Sequence, residues 1–301
     1  MRWAKLLVAC GATMGAALAG CAPTPSQPLP TQGPLVADLP GAPSAAPSKA
    51  STKSRRLDEL LIFVPSKFPE GNWRPAGLKY EDCWFTASDG VRLHGWYSPQ
   101  QRPAAVVLYM HGNGGNLTYC AEYAALLGQR FHLSVLLFDY RGYGRSEGVP
   151  TVEGVLCDAR AAREWLARRE GIAAQDIVLW GRSLGGAVAI DLATDGARAL
   201  VLESTFSSLR EAAAAHYPRP LVGLLVADRL NSAEKIKEYR GPLLQSHGDA
   251  DRTVPYALGQ RLFQAAHEPK RFITIPKGDH NDPQNEAFFR AVEELLAGLK
   301  P

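Results

Sequence analysis

The sequence is short of the features that mark several function classes. It has no block of like charge and no basic face. Lys and Arg total 33 against 30 Asp and Glu, a formal charge of +3. Nothing in that balance points to nucleic acid, and no nucleic-acid partner is expected. No comfortable membrane span is present either, because the apolar run Leu6–Ala19 is too short and too rich in small residues. Cysteine is scarce, at five residues, and its spacings are too wide for a zinc ribbon. No internal repeat is found, so a solenoid or propeller is not indicated. What remains is an ordinary globular composition, 46% apolar and 21% charged over 301 residues, enough for one large or two small domains.

The first twenty residues do not read as part of the fold. Arg2 and Lys5 make a charged start, Leu6–Ala19 an apolar run, and "LAGC", Leu18–Cys21, follows. This stretch resembles the lipobox of bacterial lipoproteins. The resemblance implies cleavage before Cys21, a lipid on Cys21 and, with Ala22 next, sorting to the outer membrane facing the periplasm. An ordinary signal peptide cut after an Ala-X-Ala-like site is the alternative. Residues 21–54 are then a lipid-anchored linker, dominated by Pro, Ala, Ser and Thr. Such a segment cannot bury enough apolar surface to order itself, and its prolines give a reach of up to about 3.1 Å per residue. Of the five cysteines, Cys83, Cys120 and Cys157 are left for the body. At most one disulfide is possible among them, and all three read first as small buried apolar residues.

From residue 55 to 301 the pattern is that of one domain. "YEDCWFTA" and "VRLHGWYSP" flank "SDG" and read as two strands joined at an Asp-Gly turn. Apolar runs follow at Ala104–Met110, Leu133–Tyr140, Ile177–Trp180, Ala199–Leu202, Leu243–Gln245 and Phe272–Ile275. Helical patterns lie between several of them and after the last: Leu117–Gln129, Thr151–Arg169, Leu184–Thr194, Tyr256–Ala266 and Gln284–Leu299. Near-continuous apolar strands alternating with helices predict an α/β fold, a mostly parallel sheet covered on both faces. Ligands in such sheets bind beyond the carboxyl ends of the strands. His111, Asp139, Ser183, Glu203, Asp251 and His280 all sit at or just after the apolar runs.

The stretch Gly181-Arg-Ser-Leu-Gly185 matches a G-x-S-x-G nucleophile elbow between a strand, "DIVLW", and a helix. Side chains at 181 or 185 would clash with neighbouring backbone, so glycine there lifts Ser183 above the sheet edge. A serine hydroxyl needs a base, and the base needs an orienting acid. Asp251 in "SHGDADRTVP" and His280 in "IPKGDHND" follow in the order this architecture uses. Asp249 and Glu203 are rival acids. Charge developing on a substrate carbonyl needs N–H donors, each worth on the order of 3 kcal/mol in the transition state. Asn113, after His-Gly in "MHGNGGN", and Leu184, after the serine, are the candidates. His111, Asp139 and Arg141 read as loop-bracing residues. "GDHNDPQNE" is not spaced for a metal, and serine chemistry requires neither metal nor cofactor.

Taken together, "HGNGGN", "DYRGYGRSEG", "GRSLGG", "LESTFSS", "HGDADRTVP" and "GDHND" resemble an α/β-hydrolase of the serine-hydrolase kind. They are similar to the branch holding depalmitoylase-like and monoacylglycerol-lipase-like enzymes. The likeness runs from about residue 80 to the C-terminus. It implies the α/β-hydrolase fold, a triad of Ser183, Asp251 and His280, oxyanion donors at Asn113 and Leu184, and an acyl ester or thioester as substrate. Residues 207–240 fall where this superfamily carries its cap; the segment is short, which implies an open site. Its stretch Tyr217–Leu225 is apolar enough either to line an acyl pocket or to pack as a core helix. A peptidase or amidase of the same fold, or a non-catalytic binding lipoprotein, is the alternative.

Overall fold

The computed structural model describes residues 62–225 and 229–299. The predicted signal peptide, residues 1–20, and linker, residues 21–54 with Cys21, lie outside the described residues. Eight strands form the main sheet: β1 Glu81–Thr86, β2 Arg92–Ser98, β3 Ala105–Met110, β4 Leu133–Phe138, β5 Val178–Arg182, β6 Ala199–Glu203, β7 Leu243–Gly248 and β8 Lys270–Ile275. Their spatial order is β8-β7-β6-β5-β3-β4-β2-β1. β1 pairs antiparallel with β2, and β2 antiparallel with β4; every other pairing is parallel. The turn between β1 and β2 is the predicted one, with Gly90 at φ +87° and its N–H donated to Ala87 O at 2.9 Å.

The apolar runs form the buried centre. Every residue of β3, β4, β6 and β7 is buried. β1, at the edge, instead alternates buried with exposed residues. The helices of the body are α1 Ala121–Phe131, α2 Val152–Glu170, α3 Leu184–Ala193, α7 Tyr256–Ala265 and α8 Glu286–Gly298. Val155 and Leu166 of α2, Val188 of α3 and Leu262 of α7 join one core. Leu127 of α1 with Phe288 and Val292 of α8 joins the other. Two separate cores are what a sheet covered on both faces requires.

Helix ends follow local chemistry. Thr151 caps α2 by accepting the N–H of Gly154, and Gly171 ends it at φ +66°. Asn285 caps α8 by accepting the N–H of Phe288. Each such cap is worth about 1 kcal/mol. The predicted helix from Leu117 opens as a 3-10 turn, Leu117–Cys120, because Asn116 accepts the N–H of Thr118 and tightens the first turn. Between β6 and β7 lie the short helices α4 Leu209–Ala214, α5 Arg219–Leu225 and α6 Ser232–Lys235, the predicted cap region. Cys83, Cys120 and Cys157 are all free; Cys83 is buried and the other two half-buried. Among the described residues no helix is long and apolar enough to cross a membrane.

Arg141 ties three elements together. Its guanidinium donates to Asp158 of α2, at 2.7 Å from Nη2, and to Asp89 of the β1–β2 turn, at 2.6 Å from Nη1. Its main-chain N–H also reaches Asp158, at 2.7 Å. The loop after β4 is thereby fixed at the carboxyl edge of the sheet, where the candidate residues converge.

Candidate active site

Ser183 stands between β5 and α3 with φ +53° and ψ −118°, a strained conformation for a residue with a side chain. The glycines around it have no room for a Cβ. One built on Gly181 would lie 2.2 Å from Gly185 O, and one on Gly185 would lie 2.0 Å from Met110 O. Hydrogen bonds hold the turn from both sides. Ser183 N–H donates to Glu203 O at 2.9 Å, and Thr205 Oγ1 donates to Ser183 O at 2.8 Å. Ser183 is partly exposed. Leu184 is the first residue of α3, where a main-chain N–H has no acceptor within the helix.

Asp251 and His280 are brought into direct contact. His280 Nδ1 and Asp251 Oδ2 are 2.8 Å apart, and both residues are buried. The other oxygen, Oδ1, accepts the N–H groups of Thr253 at 2.8 Å and Val254 at 2.7 Å. Burial opposes a charge on Asp251. The hydrogen bonds from His247, His280 and the Val254 N–H outweigh burial and hold the carboxyl well below the usual range. Asp249, the first rival acid, is exposed and accepts the Lys277 N–H at 2.5 Å, away from His280. Glu203, the second rival, is fully committed elsewhere. It accepts from the Trp180 indole N–H, from Tyr123 O–H at 2.8 Å and from Gln284 Nε2 at 2.9 Å.

Two contacts were not legible as site chemistry in the sequence. Arg182, next to the serine, donates from Nη2 to His280 O at 2.8 Å and to Asn281 Oδ1 at 3.0 Å. It fastens the histidine loop to the elbow. His247 is fully buried, with Nε2 at 2.8 Å from Val254 O and 3.2 Å from Asp251 Oδ2. Facing two oxygens, Nε2 carries the proton, and His247 is a second imidazole on the acid. Its place in the "SHGDAD" run was the available signal; its depth was not.

The loop after β3 lies against the serine. A Cβ on Gly112 would be 3.6 Å from Ser183 Cβ, and Asn113 follows. His111 braces this loop as predicted: Nδ1 donates to Gly112 O at 2.7 Å, and Tyr140 O–H donates to His111 O at 3.0 Å. Burial pushes the His111 imidazole down to about 4. Asp139 Oδ1, 3.7 Å from His111 Nε2, accepts the Leu117 N–H at 2.7 Å. The cap residues Tyr217 and Leu221 are half-buried and exposed respectively, and Val222 is buried. Two shallow surface concavities among the described residues are lined by α1 with Gly77 and by Ala193, Thr194, Gly196 and Ala197 with Glu238–Gly241. Neither includes a triad candidate.

Comparison with known proteins supports the family and the fold. A family model described as "Serine aminopeptidase, S33" matches residues 101–233. An uncharacterised protein of Mycobacterium tuberculosis is 42% identical over 230 residues, 74% of this chain and 80% of the relative. The alpha/beta hydrolase domain-containing protein WAV2 of Arabidopsis thaliana is 35% identical over 254 residues, 75% of this chain and 82% of that one. Among solved structures, the Pyrococcus furiosus esterase Pf2001 superposes with a TM-score of 0.66 at 21% identity, covering 79% of this chain and 97% of its own. At that identity the likeness is one of fold.

Proposed function

The chain belongs to the α/β-hydrolase family, and from that premise we propose that it is a serine hydrolase cleaving carboxylic esters or thioesters through an acyl-enzyme. The observation that carries the reading is the 2.8 Å contact of His280 Nδ1 with Asp251 Oδ2, on a loop fastened by Arg182 beside the strained Ser183. With Nδ1–H given to Asp251, His280 Nε2 is the base. Ser183 Oγ attacks the substrate carbonyl while Nε2 takes its proton. The N–H groups of Leu184 and Asn113 donate hydrogen bonds to the oxyanion. His280 then returns the proton to the leaving alcohol or thiol. Water repeats the sequence on the acyl-serine and releases the acid. Asp251 stabilises the imidazolium in both halves.

The short cap and partly exposed serine support a substrate presented on a larger molecule or a membrane. The lipobox-like segment supports tethering through Cys21 to a bacterial envelope, at the outer membrane facing the periplasm. The family model's description favours a second reading, an aminopeptidase. That reading needs a free acid near the substrate amine, and Glu203, the acid nearest to the elbow in the sheet, is already held by three donors.

Labelling by a fluorophosphonate probe tests the proposal. The unmodified chain should label, and Ser183→Ala and His280→Ala should not. Hydrolysis of p-nitrophenyl esters should fall by about 10⁴-fold or more in either variant. Faster turnover of aminoacyl p-nitroanilides than of esters would move the aminopeptidase reading to the front. A folded, unlabelled parent chain would leave the binding-protein reading.

A further inference from the structure

The segment that enters the catalytic body, Ile62–Gly71, is laid across the loop that carries Asn113. Val64 and Pro65 pair in parallel with Gly114 and Gly115, and Ser66 N–H donates to Gly115 O at 2.9 Å. The Asn113 side chain is used at both ends: Nδ2 donates to Ile62 O, and Oδ1 accepts the Val64 N–H at 3.3 Å. Asn116 Nδ2 donates to Glu70 O at 2.9 Å. The same segment clasps the next loop, with Gly144 N–H on Ser66 O at 2.9 Å and Phe68 N–H on Gly144 O at 3.0 Å. Phe63 anchors it, buried in the core shared by α2 and α3.

The loop needs such support. Three of its six residues, Gly112, Gly114 and Gly115, are glycine, so its own chain does little to fix a backbone direction. An oxyanion donor acts only when its N–H already points to where the charge will form. The bonds that define the direction at Asn113 come from outside the loop: Ile62 and Val64 on the side chain, and Tyr143 O–H on both the main-chain oxygen, at 2.8 Å, and the side-chain Oδ1, at 3.1 Å. The segment precedes the stretch matched by the family model, residues 101–233.

We propose that residues 62–71 are a positioning strap, which aims the main-chain N–H of Asn113 into the oxyanion site through hydrogen bonds to its side chain and to the Gly114–Gly115 backbone. The inference rests on the serine-hydrolase reading given above. None of the strap residues touches the reacting atoms; they act through Asn113.

Two variants of the full chain test it. Asn113→Ala keeps the main-chain donor but removes both side-chain bonds to the strap, together with the Tyr143 O–H contact to Oδ1, while the Tyr143 bond to the main-chain oxygen stays. Phe63→Leu loosens the strap from its anchor while leaving Asn113 untouched. Each should lower kcat on a short p-nitrophenyl ester, by about 10- to 100-fold for Asn113→Ala and less for Phe63→Leu. KM should change little. Affinity for an aryl trifluoromethyl ketone, which forms a tetrahedral adduct with an oxyanion on the serine, should fall by the same factor as kcat. A merely structural strap would instead lower the urea midpoint and leave kcat and ketone affinity unchanged, and that result overturns the proposal. If the unmodified chain neither turns over the ester nor binds the ketone, the serine-hydrolase reading fails, and the strap's role fails with it.

Discussion

The buried pair His111 and Asp139 shows how one site residue can be read by its protons. Burial raises the Asp139 carboxyl to about 8, against the Leu117 and Arg145 N–H bonds that favour its charge. Burial also lowers His111 to about 4. Both directions describe a neutral acid beside a neutral imidazole, the pair's one titratable proton on the carboxyl. In the unfolded chain Asp139 ionises near pH 3.9 and His111 near 6.5. Between those values the unfolded pair also holds one net proton, as imidazolium and carboxylate, so folding takes up none. Above about pH 6.5 the unfolded pair releases its proton while the native pair keeps it until about 8. The native state then binds more protons, and stability falls as pH rises through this window. The slope is about 1.4 kcal/mol per pH unit, or about 2 kcal/mol across it. Urea unfolding at pH 6.5 and 8 should show the decline, and Asp139→Asn should flatten it. An unchanged slope in that variant would assign the decline to other groups.

At the scale of the element, the elbow is a close crossing of backbones. β5 hands over to α3 where Gly181, Gly185 and Gly186 let the turn press on Met110 O, Gly185 O and Thr205. Gly185→Ala would put its Cβ 2.0 Å from Met110 O. Backbone, unlike a side-chain end, has little freedom to move aside, so this substitution should destabilise by about 3 kcal/mol or more. Chemical denaturation should show a lower midpoint, and fluorophosphonate labelling should fall with it. A variant as stable and as reactive as the parent would mean that the elbow is far more plastic than its contacts imply. The G-x-S-x-G pattern made this element legible because its glycines serve a local need. Arg182, inside the same pentapeptide, was not legible. Its partner is the carbonyl of His280, far along the chain, and no local rule points an arginine to one distant carbonyl.

On the scale of the whole molecule, the sheet gathers the working residues along one edge and leaves the opposite faces to packing. Among the described residues the cap between β6 and β7 carries three short α-helices and a 3-10 turn, Ile236–Glu238. The strap, residues 62–71, lies beside the loop carrying Asn113. The proposed anchor can be tested apart from catalysis. Cys21→Ser, expressed in a bacterial host, should move the protein from the membrane pellet to the soluble envelope fraction and abolish incorporation of radiolabelled palmitate. Ester hydrolysis per molecule should stay the same. Retention of Cys21→Ser in the pellet would remove the lipid-anchor reading and leave the hydrolase reading intact.

By itself the sequence determined the order of strands and helices, the elbow, and the places of His280 and its candidate acids at the strand ends. Each depends on something local: the period of apolar residues, a turn that only glycine allows, or a residue at the end of an apolar run. Strand ends are predictable places, so residues there could be placed before any fold was known. Tertiary structure alone decided which of Asp249, Asp251 and Glu203 meets His280. It also decided that His247 lies beneath the acid, and that Ile62–Gly71 pairs with the Asn113 loop. Those contacts join segments such as Val64 and Asn113, 49 residues apart. On the strap side these bonds use the backbone groups of Ile62 and Val64, which every residue carries, and such groups leave no mark in the choice of side chain.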